Sequence, residues 1–191
     1  ATRRLFARLC DLYPCAVISG RSQRDVAARL DGAAIKYVIG NHGLEPGGGL
    51  TEFEQEISRA HRLLSSAMCG WPGVDVENKH YSLAVHYRRC RRKRDARDAI
   101  HAAIAGLPTP MRIVPGKMVV NVVPAGAPDK GDALLDLRDR EKADIALYVG
   151  DDVTDEDVFK LDQPGRVLTV RVGESPSSAA AYFLRTQREV D

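Results

Sequence analysis

The stretch ADIALYVGDDVTDEDVFKL, residues 143–161, joins a short apolar run to a cluster of acidic residues. Residues 143–150 are typical of a parallel strand, because strands buried on both faces are almost continuously apolar. Thr154 can cap a helix over residues 154–161, whose first turn would hold three acidic side chains where the helix macrodipole favours negative charge. The stretch therefore predicts a strand that leads directly into a short helix.

Predicted strands and helices also alternate at both ends of the chain. Ser22 with Asp25 resembles a capping box, and Asp129 can cap a later helix. The predicted helices cover residues 2–13, the segment after Ser22, and the segment from Asp129 to about 140, and the predicted strands cover residues 15–20, 36–40 and 166–173. This order is typical of an α/β fold with a parallel sheet and right-handed crossovers.

The pattern changes in the middle of the chain. LEPGGGL, residues 44–50, indicates a hairpin turn. Beyond it, helices are predicted over 52–68 and 95–106 and strands over 81–88 and 118–123, an α+β arrangement. We therefore expect an inserted domain at residues 44–123, and a parallel-sheet core built from residues 1–43 and 124–191.

Composition narrows the classes of function. The chain has 44% hydrophobic and 28% charged residues, which is ordinary for a globular protein, and a net charge of +2. This balance argues against a nucleic-acid or membrane partner, and the basic run 88–94 lacks the interleaved aromatics that stack on bases. The four cysteines lack metal-ligand spacing, which favours reduced thiols in a cytoplasmic protein. We expect a monomer, although the sequence leaves the oligomeric state open.

Two adjacent aspartates, Asp151 and Asp152, follow the predicted strand at residues 143–150. Ligands bind at the carboxyl ends of the strands in open α/β sheets. Neighbouring carboxylates repel one another unless a cation neutralises them, and Mg²⁺ prefers oxygen ligands. These residues predict a magnesium site. The alternative, a well-capped helix, explains the later acids but not these two.

Two further segments could bind an anion. In ISGRS, residues 18–22, the Ser19 hydroxyl, the Arg21 guanidinium and backbone N–H groups could hold phosphate, although a plain strand-to-helix turn is the alternative. Lys130 would lie in the first turn of a helix, where a cation opposes the macrodipole. Its position indicates a nearby anion, and the alternative is that Lys130 is a solvated surface lysine.

In this order around an inserted domain, the three segments resemble the phosphatases of the haloacid dehalogenase superfamily. Four longer segments resemble the trehalose-6-phosphate phosphatases more specifically. They are YVIGNHGLE (37–45), ENKHYSLAVHYR (77–88), GKMVVNVVPAGAPDKGDAL (116–134) and VGDDVTDEDVF (149–159). The resemblance implies a Rossmann-like core with an α+β cap, and hydrolysis of trehalose 6-phosphate with Mg²⁺ through an aspartyl-phosphate.

The resemblance also implies roles for single residues. The catalytic set would be Ser19, Arg21 and Lys130, and the metal set Asp151, Asp152 and Asp155. The phosphosugar would be bound by Asn41, His42, Glu77, Lys79, Arg88, Lys117 and Asn121. The alternatives are ordinary core or strand histidines at His42 and His86, and a cross-strand charge cluster of Glu77, Lys79 and Arg88.

Two departures from the family pattern bear on function. Asn121 and Val123 stand where the family usually has the Glu and Arg of ExRP, which leaves open a phosphatase of another phosphosugar. The DxDGT strand that carries the family's aspartate nucleophile is not in the sequence. We expect it upstream, so that residues 1–191 alone would be an inactive fragment. The alternative is a non-catalytic domain that binds a sugar phosphate.

Overall fold

The structure is a computed structural model that describes residues 2–30, 34–46, 51–161 and 164–190. Its chain divides into two compact units, Ala1–Pro46 with Pro128–Asp191, called the core unit, and Gly47–Ala127, called the inserted unit. The boundaries expected from the sequence, after residues 43 and 123, lie a few residues earlier. Part of the turn predicted at 44–50 lies outside the described residues.

Helices and strands alternate in the core unit and are mixed in the inserted unit. The helices are α1 (Thr2–Leu12), α2 (Gln23–Arg29), α3 (Thr51–Met68), α4 (Lys93–Ala105), α5 (Lys130–Glu141) and α6 (Glu156–Phe159). The strands are β1 (Ala16–Ile18), β2 (Tyr37–Ile39), β3 (Asp75–Asn78), β4 (Leu83–His86), β5 (Met111–Gly116), β6 (Val119–Pro124), β7 (Ala146–Gly150), β8 (Val167–Val172) and β9 (Tyr182–Leu184). No helix in the described ranges is long and apolar enough to cross a membrane.

The core unit is built from parallel strands, and its α/β class agrees with the sequence. β1 pairs with β2, and β7, β8 and β9 form a separate three-stranded sheet. Helix α5 contributes to two hydrophobic clusters of the core unit. In one of them Ala133 and Leu137 pack with Ile39, and in the other Leu134 packs with Tyr148. The residues at the carboxyl ends of β1 and β7 are therefore positioned by strands that share one supporting helix.

The start of α5 is fixed by a capping box. The Asp129 side chain accepts from the backbone N–H groups of Gly131 and Asp132, at 2.8 and 3.1 Å. The Asp132 carboxylate in turn accepts from the Asp129 N–H at 3.1 Å. These bonds satisfy helix donors that have no partner within the helix, so the first residue, Lys130, has a defined place.

The acid-rich segment after β7 differs from the prediction. A 3₁₀ turn covers Val153–Asp155, and α6 follows it directly. Asp152 caps the turn by accepting from the Val153 N–H at 2.7 Å. The predicted cap, Thr154, is instead buried, and its hydroxyl has no hydrogen-bond partner among the described residues. The sequence-based assignment of Thr154 as the cap was wrong because Asp152 reaches the free donors two residues earlier.

The inserted unit is an antiparallel sheet in the order β3-β4-β6-β5, with α3 and α4 packed on one face. Ile57 and Ile100 from the helices meet Val85 and Val122 from the sheet, and all four are fully buried. The helices agree closely with the predicted ranges, but β3 and β5 were not predicted. Within the described residues β5 pairs only with β6 and so is an edge strand, where Pro115 is tolerated.

Candidate active site

The turn after β1 and the turn after β2 are joined by backbone hydrogen bonds. The Ser19 N–H donates to the Ile39 carbonyl at 2.9 Å, and the His42 N–H donates to the Ser19 carbonyl at 2.9 Å. The Asn41 N–H donates to the Arg21 carbonyl at 2.7 Å. The structure therefore brings together four of the residues predicted for the site: Ser19, Arg21, Asn41 and His42.

This pair of turns is tightly packed. A β-carbon at Gly20 would lie 2.4 Å from Cε1 of His42, so any other residue there would require the imidazole to move. Asn41 and His42 have φ angles of 46° and 62°, in the left-handed region that non-glycine residues rarely adopt. A buried asparagine and histidine held in this conformation are typical of functional turns, where the surroundings offset the backbone strain.

The Asn41–His42 turn also contacts the start of α5. A β-carbon at Gly43, whose φ is +123°, would lie 2.4 Å from the Asp129 carbonyl oxygen. Glycine is therefore required both by the backbone angle and by the close approach. Because Asp129 is the residue before Lys130, this contact places the Ser19 and His42 turns beside the helix end that carries Lys130.

The beginning of α2 has fewer free donors than the sequence suggested. The Gln23 N–H donates to the Glu45 carboxylate at 2.5 Å, and the Asp25 N–H to the Ser22 hydroxyl at 3.3 Å. The Arg21 guanidinium forms an exposed ion pair with Asp25 at 2.8 Å, which lowers the pKa of that carboxyl. Arg21 thus stabilises the turn in this structure, and the Gln23 N–H is taken by Glu45.

Lys130 is buried, with 5% of its surface exposed, and its ammonium donates to Oδ1 of Asp155 at 2.7 Å. The Tyr148 hydroxyl donates to the same oxygen at 2.7 Å, and the Asp152 N–H donates to Oδ2 at 2.8 Å. The Asp155 carboxylate is thus shared between the start of α5, the end of β7 and the following turn. The solvated-lysine alternative for Lys130 does not hold.

The electrostatics of this cluster follow from its burial. Burial alone would raise the pKa of the Asp155 carboxyl, but the charge and hydrogen bond of Lys130, with the Tyr148 hydroxyl, outweigh it and hold the pKa below its usual range. The pKa of Tyr148 is raised by burial and by the neighbouring Asp155 charge. The Asp155 carboxylate is therefore ionised and the tyrosine neutral at physiological pH.

Gly150 explains how a carboxylate fits there. A β-carbon at this position would lie 2.4 Å from the carboxyl carbon of Asp155. The glycine at the end of β7 therefore leaves room for Asp155 to reach Lys130. In the sequence this glycine directly precedes Asp151, so the GDD motif has a packing reason as well as a chemical one.

Asp155, which the resemblance placed among the metal ligands, accepts three hydrogen bonds through its two carboxylate oxygens in this structure. The side chains of Asp151 and Asp152 are exposed. Their oxygen donors suit Mg²⁺, but among the described residues no group of three His, Cys, Asp or Glu side chains is placed to hold a metal ion. Asp151 and Asp152 thus offer two exposed carboxylates, but no complete metal-ion site is found among the described residues.

Arg171, on β8, was not predicted as a site residue. Its guanidinium donates to the carbonyl oxygens of Asp151 at 3.2 Å and Asp152 at 3.3 Å, and to the Glu156 carboxylate at 3.1 Å. The sequence signal is the second of two arginines in the run RVLTVRVG, residues 166–173, where Arg171 lies between two valines just before the glycine. Its partners lie about fifteen to twenty positions away, which a sequence pattern does not reveal.

In the inserted unit, two predicted sugar-binding residues share a face of the sheet. Glu77 and Asn121 both lie opposite Ala84 on β4, one from each side. This is the face away from α3 and α4, because Val76, Val85 and Val122 point into the helix-packed core. Glu77 pairs with His86 at 2.9 Å, a contact that the charge cluster considered for Glu77, Lys79 and Arg88 did not include. The Asn121 side-chain amide donates to the Val114 carbonyl at 3.3 Å.

The other predicted residues of this unit lie at opposite ends of the sheet. Lys117 is in the turn between β5 and β6, next to Met118, whose carbonyl accepts from the Tyr87 N–H at 3.2 Å, so Arg88 is near that end. Lys79 follows β3 at the other end, where its N–H donates to the Ser82 carbonyl at 2.9 Å. Within the unit, these basic residues therefore flank the face that carries Glu77 and Asn121.

Comparisons with known proteins agree on one family. A family model described as trehalose-phosphatase matches residues 1–187. The trehalose-phosphate phosphatase of Mycobacterium ulcerans is 34% identical over 185 residues, which cover 88% of this chain and 47% of that protein. The chain spans about half the length of the curated relatives it matches.

Solved structures share the fold. A trehalose-6-phosphate phosphatase related protein has a TM-score of 0.68 at 21% identity, covering 95% of this chain and 79% of that one. The C-terminal domain of the Candida albicans trehalose synthase regulatory protein has a TM-score of 0.66 at 16% identity, covering 92% of this chain and 78% of that one. At these identities the likeness concerns the fold alone, which a protein named as regulatory also has.

Proposed function

Because the chain belongs to the trehalose-phosphatase family, whose model matches residues 1–187, we propose that the protein removes phosphate from trehalose 6-phosphate in a magnesium-dependent reaction. The observation that carries this proposal is the buried Lys130–Asp155 pair beside the Ser19 and His42 turns. An α/β fold binds its ligands at the carboxyl ends of its parallel strands, and a cation fixed there suits an anionic ligand.

Lys130 would hold the phosphoryl group. An ammonium has three N–H donors, and Asp155 is its one hydrogen-bond acceptor among the described residues. The remaining donors and the Ser19 hydroxyl would bind phosphoryl oxygens. Asp155, which also accepts from the Tyr148 hydroxyl, holds the ammonium in place before substrate arrives, so little reorganisation is needed when charge develops in the transition state.

The chemistry we propose has two steps. An aspartate carboxylate attacks phosphorus, the ester bond to the sugar oxygen breaks, and the sugar leaves as an alcohol after taking up a proton. Water then hydrolyses the aspartyl-phosphate and releases inorganic phosphate. In the family pattern this nucleophile belongs to the DxDGT strand, which residues 1–191 do not contain. Mg²⁺, held in part by Asp151 and Asp152, would supply neutralising charge for the phosphoryl oxygens.

Sugar recognition would fall to the inserted unit. Glu77 and Asn121 present a carboxylate and an amide on the sheet face away from the helices, and Lys79, Arg88 and Lys117 flank that face. A disaccharide offers many hydroxyl groups. A site built to hydrogen-bond these groups rejects analogues that lack them, because its polar groups would be left unpaired.

A phosphatase for a different phosphosugar is the second candidate, and Asn121 favours it. Its amide nitrogen is engaged by Val114, which leaves the neutral side-chain oxygen to meet a sugar hydroxyl. This contact lacks the charge of a carboxylate and is weaker.

A substrate panel separates these candidates. Protein expressed from the complete coding sequence is mixed with Mg²⁺ and with trehalose 6-phosphate, glucose 6-phosphate or sucrose 6-phosphate, and released phosphate is measured. We expect the highest kcat/KM for trehalose 6-phosphate. A preference for another sugar would move the assignment to the second candidate, and no release from any of them would indicate a non-catalytic sugar-phosphate-binding domain.

A further inference from the structure

Arg171 is a largely buried arginine in the core unit, with 11% of its side chain exposed. It lies opposite Gly150 in the β7–β8 pairing, next to the end of β7. From there its guanidinium reaches past the strand end and donates to the carbonyl oxygens of Asp151 and Asp152. One planar group thus holds two consecutive carbonyls of the loop that carries the exposed aspartates.

The arginine is itself held in place. Its NH1 group donates to Oε1 of Glu156 at 3.1 Å, and Oε2 of Glu156 accepts from the Ala179 N–H at 3.0 Å. The Glu156 side chain is only 14% exposed, so the ion pair is shielded from water on both sides. The contact therefore differs from a solvent-exposed surface pair, which is worth little.

The geometry suits an arginine and no other residue. The guanidinium is planar, permanently charged and has donors in a rigid fork, so it can serve two carbonyls and a carboxylate at once. A lysine ammonium is a single nitrogen that cannot span these acceptors. The loop held in this way carries two carboxylates whose mutual repulsion would otherwise favour movement apart.

We propose that Arg171 is a positioning residue that fixes the Asp151–Asp152 loop and, by its charge, offsets the repulsion between the two carboxylates. It acts through the loop and does not touch substrate. What the loop binds, a magnesium ion, rests on the proposed function. The fixing of the loop rests on the contacts of Arg171 alone.

The test compares Arg171→Ala and Arg171→Lys with wild type, and uses Arg138→Ala as the matched control. Arg138 is a similarly buried arginine of α5, with 8% of its side chain exposed, and its guanidinium forms an ion pair with Asp139. Amide exchange is measured at Asp152, Val153 and Asp155, whose N–H groups hydrogen-bond within the loop. Magnesium chloride alone is titrated calorimetrically, and KM for the phosphosugar is measured alongside.

Loss of a residue that orients metal ligands typically weakens metal binding by about 10–100-fold. We expect Arg171→Ala to weaken Mg²⁺ binding by about tenfold or more and to accelerate exchange of the loop amides, with KM for the sugar unchanged. Arg171→Lys should also exchange faster than wild type, because it keeps the charge and loses the fork, and it replaces the alanine variant if that fails to fold. Arg138→Ala should leave both readouts unchanged.

Wild-type exchange rates at Asp152 and Val153 in both Arg171 variants would overturn the proposal. If wild-type protein takes up no Mg²⁺, the metal requirement of the proposed function fails instead. The exchange rates of the same amides then decide the role of Arg171 without reference to metal.

Discussion

Replacing Asp155 with asparagine removes one charge from the buried cluster around Lys130 while almost preserving the shape of the side chain. Both side chains of the pair are nearly inaccessible, with 6% and 5% exposed, and their charged atoms are 2.7 Å apart. At an effective dielectric constant near 20, this separation corresponds to a gross attraction of about 6 kcal/mol. Desolvation offsets much of it, and removing one partner of such a buried pair typically costs about 3–5 kcal/mol.

We therefore expect Asp155→Asn to lower the free energy of unfolding by about 3–4 kcal/mol at pH 7. An asparagine amide also cannot accept from both Lys130 and the Asp152 N–H as the carboxylate does. The measurement is urea unfolding followed by circular dichroism. Asp139→Asn is the matched control, because Asp139 is 74% exposed and its ion pair with Arg138 contributes about 0–1 kcal/mol.

The lowered pKa of Asp155 determines how the stability difference between wild type and Asp155→Asn changes with pH. The folded pKa of Asp155 lies below the ordinary value of about 3.9, so the carboxylate stabilises the fold fully above about pH 5. This stabilisation is lost as the pH falls through the lowered folded pKa. The difference between wild type and Asp155→Asn should therefore be constant near neutrality and shrink in acid. A difference that grows on acidification, or that is absent at pH 7, would refute the reasoning.

Two further predictions concern the turn and the sugar face. Gly20→Ala should destabilise the core unit by about 1–3 kcal/mol in urea unfolding, because the new methyl group would lie 2.4 Å from the His42 ring. A free energy of unfolding equal to that of wild type would show that His42 moves freely. Glu77→Gln should raise KM for the phosphosugar by about tenfold with kcat nearly unchanged, because it weakens binding without touching the reacting atoms. Asp98→Asn, at an exposed position of α4, is the control, and an unchanged KM in Glu77→Gln would remove Glu77 from the sugar site.

Much of the core unit could be predicted from the sequence because its cues are local. Asp129 caps α5 as its position suggested, and the apolar run 143–150 contains β7. Lys130 indicated a nearby anion because a cation is unfavourable at a helix start. The anion within the chain is Asp155, 25 residues away, which was predicted to serve a metal ion instead.

The features that the sequence did not predict depend on tertiary contacts. No periodicity shows that Arg171 reaches back to the Asp151 and Asp152 carbonyls, or that Glu45 occupies the Gln23 N–H at the start of α2. The edge strand β5 was missed because Pro115 and Gly116 argue against a strand unless its pairing is known to be one-sided. Local sequence cues thus predicted many of the helices and strands that carry the candidate residues, and the pairing of their side chains had to come from the structure.

The most direct test of the central role of Lys130 is the rate of phosphate release from trehalose 6-phosphate at saturating Mg²⁺. Wild type is compared with Lys130→Ala and with Lys160→Ala, an exposed lysine at the end of α6, each expressed from the complete coding sequence. Loss of a fixed donor to transition-state charge should lower kcat by about 10²–10³-fold in Lys130→Ala, with Lys160→Ala unchanged. A Lys130→Ala protein that keeps the wild-type kcat would contradict the account.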